Sequence, residues 1–210
     1  MTSTPVSRDP GPARGTRLPR KARRQQQLGA AQEVFVAQGY HAAAMDDIAE
    51  RAGVSKPVLY QHFPGKHELY LALLDQHADD LVAKVHRALA STSDNKQRVS
   101  ASVAAYFDFV TGEGEAYRLV FESDLRNDPA VRERVERMTA QCVEAIAQTI
   151  AHDTGAGEEE ALLLSVGLSG LAEVGARWWL SSQGRVPRER AVELLARLSW
   201  RGISGSPRTG

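Results

Sequence analysis

Apolar residues recur along this chain at the three- and four-residue spacing that places them on one face of a helix. No segment alternates apolar and polar residues between turns, as a strand would, and no repeat period is visible. The pattern predicts helices over 20–38, 66–89, 97–110 and 158–180, and two further helices that begin at 128–129 and at 187. It also predicts an apolar segment over 117–125. We therefore predict an all-α fold.

Two short helices joined by a tight turn are predicted between Met45 and Phe63. Gly53 stops the first helix, because glycine readily adopts the positive φ of a helix C-terminus. Ser55 and Pro57 suit the first turn of the second helix, where a hydroxyl can cap exposed amides and a missing N–H costs nothing. The first helix has apolar residues at i, i+3, i+4 and i+7, namely Met45, Ile48, Ala49 and Ala52. This is the helix-turn-helix plan, so DNA binding is the first hypothesis.

The second helix of this pair divides into an inner and an outer face. Leu59 and Phe63 lie one turn apart and form the better core pair, while Val54 can fill the angle between the two helices. A helix in the major groove uses cations, hydrogen-bonding groups and small apolar surfaces on phosphates, base edges and thymine methyls. The outer face or rim offers such groups, and we assign it to DNA binding: Lys56, Pro57, Val58, Tyr60, Gln61 and His62.

The distribution of charge supports the same hypothesis, although the formal net charge is zero. Residues 1–24 contain seven Arg or Lys residues and one acid, a net charge of +6, and the other 186 residues therefore carry −6. A basic arm on an acidic body suits phosphate contacts, and we add Arg20, Arg23 and Arg24 to the DNA-binding set. The alternative is a solubilising tail, since residues 1–19 have a composition typical of disorder.

The run from Phe35 to Leu69 resembles the DNA-binding domain of TetR-type transcriptional regulators. Within that family, GYHAAAMDDIAERAGVSKPVLYQHF after a basic cluster is most similar to actinobacterial FasR-like regulators of fatty-acid synthesis. The resemblance implies that Lys66 lies near phosphate and that the helix it begins links the DNA-binding domain to an all-helical regulatory domain. Ala43 and Ala44 depart from the pattern, because many members place a phosphate-touching hydroxyl there. The matching residues are Gly39-Tyr40, Met45, Ile48-Ala49, Ala52-Gly53-Val54-Ser55, Leu59-Tyr60, His62-Phe63, Lys66 and Leu69.

Four segments follow along the chain. Residues 1–19 are the basic arm and residues 20–80 the N-terminal three-helix helix-turn-helix DNA-binding domain, with the motif itself at about 43–63. Residues 81–204 are the α-helical ligand-binding and dimerisation domain, and residues 205–210 are a tail. A chain of 210 residues with 42% hydrophobic composition is long enough for this two-domain plan.

The second domain contains more large apolar side chains than a DNA-binding protein needs. Together they could enclose a long apolar effector and a few polar atoms of its head. For any one of them a place in a filled core is the better expectation, and Cys142 is best interpreted as a buried small hydrophobe. The candidate ligand-binding residues are Tyr106, Phe107, Val110, Tyr117, Phe121, Met138, Cys142 and Trp178.

The helix predicted over 158–180 is rich in small residues. Glycine inside a helix costs about 1 kcal/mol relative to alanine, so three glycines in one helix suggest a packing reason. We predict that another helix approaches closely there, and that the last two helices close a two-fold homodimer as a four-helix interface. The small residues are Ser165, Ser169, Ala172 and Ala176, with Gly167, Gly170 and Gly175 between them.

Enzyme and metal-site hypotheses find little support. The chain lacks G-x-S-x-G, G-x-G-x-x-G, P-loop and H-E-x-x-H patterns, so we expect neither catalytic residues nor a cofactor. The cluster Asp75, His77, Asp79 and Asp80 does not converge on one helical face, so a solvated face explains it better than a metal site. With a single cysteine, no membrane-length apolar run and no secretory signal, we expect a cytoplasmic protein.

Together these interpretations predict a homodimeric TetR-type regulator that binds double-stranded operator DNA. Its second domain is expected to bind a small apolar effector and thereby alter operator affinity, and the resemblance favours long-chain acyl-CoA and the control of lipid metabolism. One alternative is a repressor of an efflux or catabolic operon that responds to another apolar or aromatic compound. An alternative of another class is a helical lipid carrier or scaffold without DNA binding. Activation and repression remain open at this point.

Overall fold

The computed structural model describes residues 19–112, 116–121, 125 and 127–202. The described residues contain no strand, and the all-α prediction is confirmed. The helices are α1 Arg20–Ala42, α2 Met45–Arg51, α3 Lys56–Tyr60, α4 Lys66–Ala90, α5 Asn95–Val110, α6 Ala116–Phe121, α7 Pro129–Thr154, α8 Glu158–Ser181 and α9 Arg188–Arg201.

Capping side chains set several helix ends close to their predicted positions. Asp128 caps α7, because its Oδ1 accepts hydrogen bonds from the amides of Ala130 and Val131 at 2.9 and 3.1 Å. Asp94 caps α5 by accepting a hydrogen bond from the Gln97 amide at 2.9 Å. An acidic cap next to a proline or a short polar loop is therefore the local signal that starts both helices.

Gly39 interrupts α1 near the position where the sequence predicted its end. The glycine has φ 78° and ψ 164°, outside the helical region, and one further turn follows to Ala42. On the inner face of this helix Leu28, Ala31 and Phe35 are buried, whereas Gln38, one residue before the kink, is exposed.

The head, defined as α1–α3 with residues 66–78 of α4, encloses one small core. Tyr70 lies edge-on to the rings of Phe35 and Tyr40, with both pairs of ring centroids 5.2 Å apart. This core fixes the orientation of α3 relative to the two helices behind it. Its aliphatic part comes from all four helices and includes Leu28, Val34, Ile48, Leu59, Leu69 and Leu73.

The body consists of the rest of α4 with α5–α9. Within it α4 packs against α5 and α7, α7 packs against α8, and α5 packs against α8 and α9. The Tyr70 hydroxyl in the head donates a hydrogen bond to the Leu119 carbonyl of α6 at 3.1 Å. Helix α4 therefore contributes to both cores and is the physical connection between head and body. The body core includes Leu81, Val85, Val103, Phe107, Met138, Cys142 and Ile146.

Four small side chains of α8 are buried within the single chain, so the close helix approach predicted there occurs inside the body. They face the body's own core, because α8 packs against both α5 and α7. Gly175 makes the close approach to α9, since a Cβ there would overlap with Cδ1 of Leu195. Around Gly167 and Gly170, by contrast, no atom of a neighbouring described element lies within 4 Å of the Cβ position. The inward residues, at most 4% exposed, are Ser165, Ser169, Ala172 and Ala176.

Two predicted segments lie outside the described residues, namely the basic arm up to residue 18 and the tail over 205–210. The apolar segment predicted over 117–125 is helical as far as Phe121, and residues 122–124 also lie outside the description. In the described ranges, no helix combines the length and apolar composition needed to cross a membrane.

Candidate DNA-reading surface and effector cavity

A glycine-terminated turn sets the angle between α2 and α3. Gly53 has φ 62°. Its amide donates to the Glu50 carbonyl at 3.0 Å, and the Val54 amide donates to the Ala49 carbonyl at 3.0 Å. These are the two hydrogen bonds of a Schellman motif, which requires a left-handed residue that glycine supplies without steric cost. The predicted helix stop at Gly53 is confirmed.

Helix α3 presents its predicted outer residues to solvent. Leu59 and Phe63 are buried, with 0% and 2% exposure, as predicted. The helical path continues past Tyr60, because the Phe63 amide donates to the Leu59 carbonyl at 3.0 Å. Val58 and His62 are half-buried and lie at the rim. The exposed members of the predicted DNA-binding set on this helix are Lys56, Pro57, Tyr60 and Gln61.

The predicted cap at the start of α3 was wrong in one respect. Ser55 occupies the N-cap position, but its hydroxyl makes no capping hydrogen bond within the described chain. Such a hydroxyl bonds the amide of the second or third helical residue. The second residue is Pro57, which has no N–H, and the amide of the third, Val58, already donates to the Ser55 carbonyl at 2.9 Å. The carbonyl of Ser55, rather than its side-chain hydroxyl, therefore accepts the hydrogen bond from the first turn of α3.

Lys56 is exposed and paired. Its Nζ lies 2.7 Å from Oδ1 of Asp46 on α2, and both side chains are more than half exposed. The hydrogen bond to this carboxylate, followed by its charge, raises the pKa of Lys56. Exposed pairs of this kind contribute little to stability, so a phosphate or a base edge can compete for the ammonium.

The basic end of α1 lies beside α3. Arg20 and Arg24 are exposed and Arg23 is half-buried. The guanidinium carbon of Arg24 is 5.2 Å from the centroid of the Phe63 ring, a cation–π distance. The root of the basic arm is therefore held next to the end of the recognition helix, where a DNA backbone could contact both.

Lys66, the first residue of α4, is engaged by backbone carbonyls. Its Nζ donates to the carbonyls of Tyr40, His41 and Ala43 at 2.8, 3.2 and 2.8 Å. It also lies 4.6 Å from the centroid of the Tyr40 ring. An ammonium has three donors, and all three point at the end of α1. The phosphate contact implied for Lys66 would have to break these hydrogen bonds, so the geometry favours a role as a cap for the last turn of α1.

Two more polar contacts join α1 to α2. The Gln26 side-chain amide donates to the Ala52 carbonyl at 2.9 Å, which satisfies an acceptor at the end of α2. Arg51 forms an ion pair with Glu33. With the Lys66 contacts, these bonds hold α1, α2 and α4 in one arrangement around α3.

The body contains a cavity of about 560 Å³ beside Leu89, near the end of α4 that is opposite the head. Helix α5 lines it with three hydrogen-bonding side chains at successive turns, Arg98, Ser102 and Tyr106. The buried Ser102 hydroxyl has no hydrogen-bond partner among the described residues. The rest of the wall is largely apolar and includes Val99, Val103, Ile146, Ile150, Leu163, Leu164, Leu168, Leu171 and Trp200.

A polar cleft of about 370 Å³ adjoins this cavity and shares Leu89, Arg98, Thr149 and Asp153 with it. Arg98 donates to the Thr92 carbonyl at 2.7 Å and forms an ion pair with Asp153. Hydrogen bonding from His152, with a further contribution from Arg98, lowers the pKa of the Asp153 carboxyl. An apolar cavity that continues into a polar cleft suits an amphipathic molecule. The cleft also contains His86, Gln148 and His152.

Comparison with known proteins identifies the family. The family described as bacterial regulatory proteins, tetR family, matches residues 28–73, which include α2, α3 and Lys66. The HTH-type transcriptional activator FasR of Mycolicibacterium smegmatis is 48% identical over 199 residues, covering 95% of this chain and 91% of that protein. This chain belongs to the TetR family of transcriptional regulators. As a TetR-family member it is a DNA-binding regulator and not an enzyme.

Solved structures share the TetR fold along most of the chain. A TetR-like regulator from Rhodococcus sp. RHA1 superposes with a TM-score of 0.69 at 27% identity, covering 90% of this chain and all of that one. The regulator FadR from Bacillus subtilis, solved in complex with stearoyl-CoA, superposes with a TM-score of 0.71 at 16% identity. That match covers 85% of this chain and 98% of FadR, and at such identity it shows the fold alone.

In this TetR-family body the predicted ligand-binding residues are mostly core. Among the described residues, Tyr106 is the member of that set that lines the larger cavity. Tyr117 is half-buried on α6. Phe121 packs edge-on against Phe109 with ring centroids 5.9 Å apart, and the Arg177 guanidinium lies over its other side. The members that are at most 3% exposed and occupy the filled core are Phe107, Val110, Met138 and Cys142.

Trp178 and Trp179 show why the lining was difficult to predict. The Trp179 ring lies 5.3 Å from that of Phe107, and its Nε1 donates to the Val186 carbonyl at 2.7 Å. Trp178 is 65% exposed and lines neither of the two cavities described above, so its assignment to the ligand-binding set stays a prediction. Adjacent helical residues are about 100° apart, so only one of the two rings can face the core, and the sequence does not say which.

Burial raises the pKa of the Cys142 thiol to about 11, which keeps it protonated and unreactive. The solvated face predicted for the cluster at residues 75–80 was wrong in part, because His77 is buried in the packed side of α4 and only Asp79 is fully on the exposed side. Asp75 pairs with Arg134 at 2.9 Å, and His77 shares a hydrogen bond with Gln32 at 3.1 Å. No cluster of three or more metal-ligating side chains occurs among the described residues.

Proposed function

We propose that this TetR-family regulator is a homodimer in which a long-chain acyl-CoA, bound in the body cavity, changes operator affinity to control lipid metabolism. The cavity is the observation that carries the proposal. Its volume of about 560 Å³ lies within the roughly 300–1,000 Å³ typical of small-molecule sites. The apolar wall suits an acyl chain, and the adjoining polar cleft suits a polar head.

The relatives support the same class of effector. FasR of Mycolicibacterium smegmatis is named a transcriptional activator, and this chain is 48% identical to it. FadR of Bacillus subtilis shares the fold and was solved with stearoyl-CoA. A long saturated acyl-CoA is therefore the first effector to test, and activation is the first direction of regulation to test.

On the DNA side we assign two kinds of contact. Lys56, Tyr60 and Gln61 lie exposed on α3 and are placed to reach base edges in a major groove. Pro57 and Val58 offer the apolar surface that thymine methyls require, and His62 lies at the rim. The phosphate contacts come from the basic end of α1: Arg20, Arg23 and Arg24.

The effector can act only by binding two conformations of the dimer unequally. Helix α4 extends from the head to Leu89 in the cavity wall, and His67 in its first turn lies 3.1 Å from Asp128, the cap of α7. A ligand that displaces the cavity end of α4 therefore moves the head as a unit. In a two-fold dimer this changes the distance between the two recognition helices, which must match the spacing of two half-sites.

The test is a gel-shift titration with DNA from upstream of the gene itself, with stearoyl-CoA, free CoA or neither. We expect specific binding and a change in operator affinity with stearoyl-CoA that free CoA does not produce. Native mass spectrometry of the purified protein should show a bound acyl-CoA. Absence of specific DNA binding in all three conditions would instead favour the helical lipid carrier. Specific binding that stearoyl-CoA leaves unchanged would refute the effector assignment.

A further inference from the structure

The mouth of the effector cavity opens on an apolar outer surface of the body. Three cavity-lining side chains are largely exposed: Leu163 at 75%, Leu164 at 53% and Trp200 at 47%. A long-chain ligand in this cavity would leave part of its own apolar surface, and these three side chains, in contact with water. At about 25 cal/mol per Å² of apolar surface, that exposure weakens binding substantially. Some further surface is needed to close the mouth.

The mouth is continuous with an apolar stripe along α8. Leu163, Val166, Gly170, Val174 and Trp178 follow one another at i, i+3, i+7, i+11 and i+15, so they share one helical face. The four large members are between 55% and 75% exposed. The N-terminal end of this stripe is the rim of the cavity, and its C-terminal end lies about four turns away along the same face.

We propose that a second copy of this chain closes the cavity, so that each effector site is completed by the partner subunit. The inference rests on the proposed homodimer and effector and adds to them that the subunit interface and the effector site share residues. Leu163 and Trp200 are the shared residues on α8 and α9.

Three observations favour a second copy as the occupant. TetR-family regulators dimerise. A second copy of the chain carries the same apolar face and can therefore cover this one. The stripe has no charged member, as expected for the centre of an interface. Around Gly167 and Gly170 there is open space on the described surface, where a partner helix could approach more closely than a larger side chain would allow.

This arrangement links effector binding to dimerisation. A ligand that buries surface against both subunits binds the dimer more tightly than the monomer, and by reciprocity it strengthens the dimer by the same factor. The effector affinity of a folded monomer should be lower by about 5- to 150-fold, the usual range for coupled sites.

The first experiment compares three full-length proteins by light scattering, circular dichroism and calorimetric titration with stearoyl-CoA. Val174→Arg lies on the stripe but does not line the cavity, so it should yield a folded monomer with an intact cavity wall. Gln141→Arg places the same charge on the exposed face of α7 and should leave both the dimer and the affinity unchanged. We expect the Val174→Arg monomer to bind stearoyl-CoA about 5- to 150-fold more weakly than the wild type. A folded monomer that binds as tightly as the wild type, or a Val174→Arg protein that remains dimeric, would overturn the proposal.

The second experiment needs no ligand and separates this inference from the effector assignment. Leu164→Cys places a thiol at the mouth, while native Cys142 is only 1% exposed and remains silent. Maleimide labelling of Leu164→Cys should slow as the protein concentration rises through the dimerisation range and stay fast in the Leu164→Cys/Val174→Arg double variant. Slowing in a protein that binds no stearoyl-CoA would support closure by the partner and refute the effector. Equal labelling rates in monomer and dimer would overturn closure by the partner.

A truncation after Gly202 tests the one competing occupant within the chain. Residues 203–210 follow Trp200 closely in sequence and lie outside the described residues. We expect the truncated dimer to retain stearoyl-CoA affinity and protection of Leu164→Cys. A truncated dimer that loses both would assign closure to the chain's own C-terminal segment and overturn the proposal.

Discussion

The helices of the head and the helices around the body cavity are held in place by different kinds of interaction. In the head, directed hydrogen bonds join α1 to its neighbours: Lys66 at the start of α4 donates to three carbonyls at the end of α1, and Gln26 donates to the end of α2. At the cavity end, helices surround about 560 Å³ of space with a largely apolar wall, and several of the lining side chains are exposed. Directed bonds specify one geometry, whereas apolar contacts around a void tolerate several.

This difference indicates which part of the molecule would move in the proposed response to an effector. The head should behave as one rigid unit, and the cavity end should adapt to its contents. Helix α4 connects them over 25 residues, roughly 37 Å, so a small displacement at Leu89 changes the direction in which the head points. The following variants test that contrast, in order of decreasing expected effect.

Phe107→Ala should cause the largest loss of stability. The side chain is fully buried and packs on the Trp179 ring, so its removal leaves a cavity in the filled core and should cost about 3–5 kcal/mol of unfolding free energy. Val99→Ala, in the cavity wall, should cost less than about 1.5 kcal/mol, because that side chain is half-buried beside existing space. Urea denaturation of both variants checks this. Similar losses of stability would mean that the filled core of the body and its cavity wall are equally well packed.

Lys66→Met should destabilise the head by about 1.5–3 kcal/mol, the contribution of hydrogen bonds to a charged group, because three carbonyls lose their donor. Lys66→Arg keeps the charge but cannot place three donors in the same way, so it should restore little stability. Thermal unfolding and the salt dependence of DNA binding distinguish the two roles. If Lys66→Arg restored stability and operator affinity completely, charge alone would matter and the phosphate role would be supported.

Lys56→Ala should weaken operator binding by about 1–3 kcal/mol per half-site and relax discrimination at one base pair, if the contact is to a base. Asp46→Asn tests the same side chain in the opposite direction, because it frees Lys56 from its 2.7 Å ion pair and should tighten binding. Anisotropy titrations with operator and scrambled DNA provide the measurement. An equal loss on both DNAs after Lys56→Ala would reassign the residue to the phosphate backbone.

His77 should produce a small, pH-dependent effect in the head. Burial lowers the pKa of this imidazole in the folded state, so the unfolded chain takes up the proton more readily. Its contribution to stability is therefore complete above about pH 6.5 and is lost as the pH falls from there through the lowered folded value. His77→Gln should remove this component from the pH dependence of the unfolding free energy. Parallel curves for the wild type and His77→Gln would show that His77 does not titrate between the two states.

The sequence predicted the head better than the body cavity, for a physical reason. Helix ends and inner faces depend on neighbours within a few residues, and Gly53, Asp128 and the pair Leu59 and Phe63 give local signals of that kind. A cavity is an absence of atoms between helices that are distant in sequence, and no local pattern reports it.

One feature of the cavity wall is visible in the sequence. Arg98, Ser102 and Tyr106 recur at four-residue spacing on α5, which would have suggested a polar line along an otherwise apolar face. The large aromatic side chains are a more conspicuous feature of the sequence, but bulky rings such as Phe107 fill space rather than enclose it. The Lys66 contacts join residues 23 to 26 positions apart and depend on the kink at Gly39, so the sequence alone could not show them.

The central claim is that occupancy of the body cavity controls operator affinity. The most direct measurement is the operator dissociation constant as a function of stearoyl-CoA concentration, for the wild type and for Ser102→Trp, which fills the cavity from α5. Gln141→Trp on the exposed face of α7 is the matched control. The account predicts an operator affinity that changes with stearoyl-CoA in the wild type and in Gln141→Trp but does not respond in a folded, DNA-binding Ser102→Trp. An unchanged response in Ser102→Trp, or no response in the wild type, would contradict it.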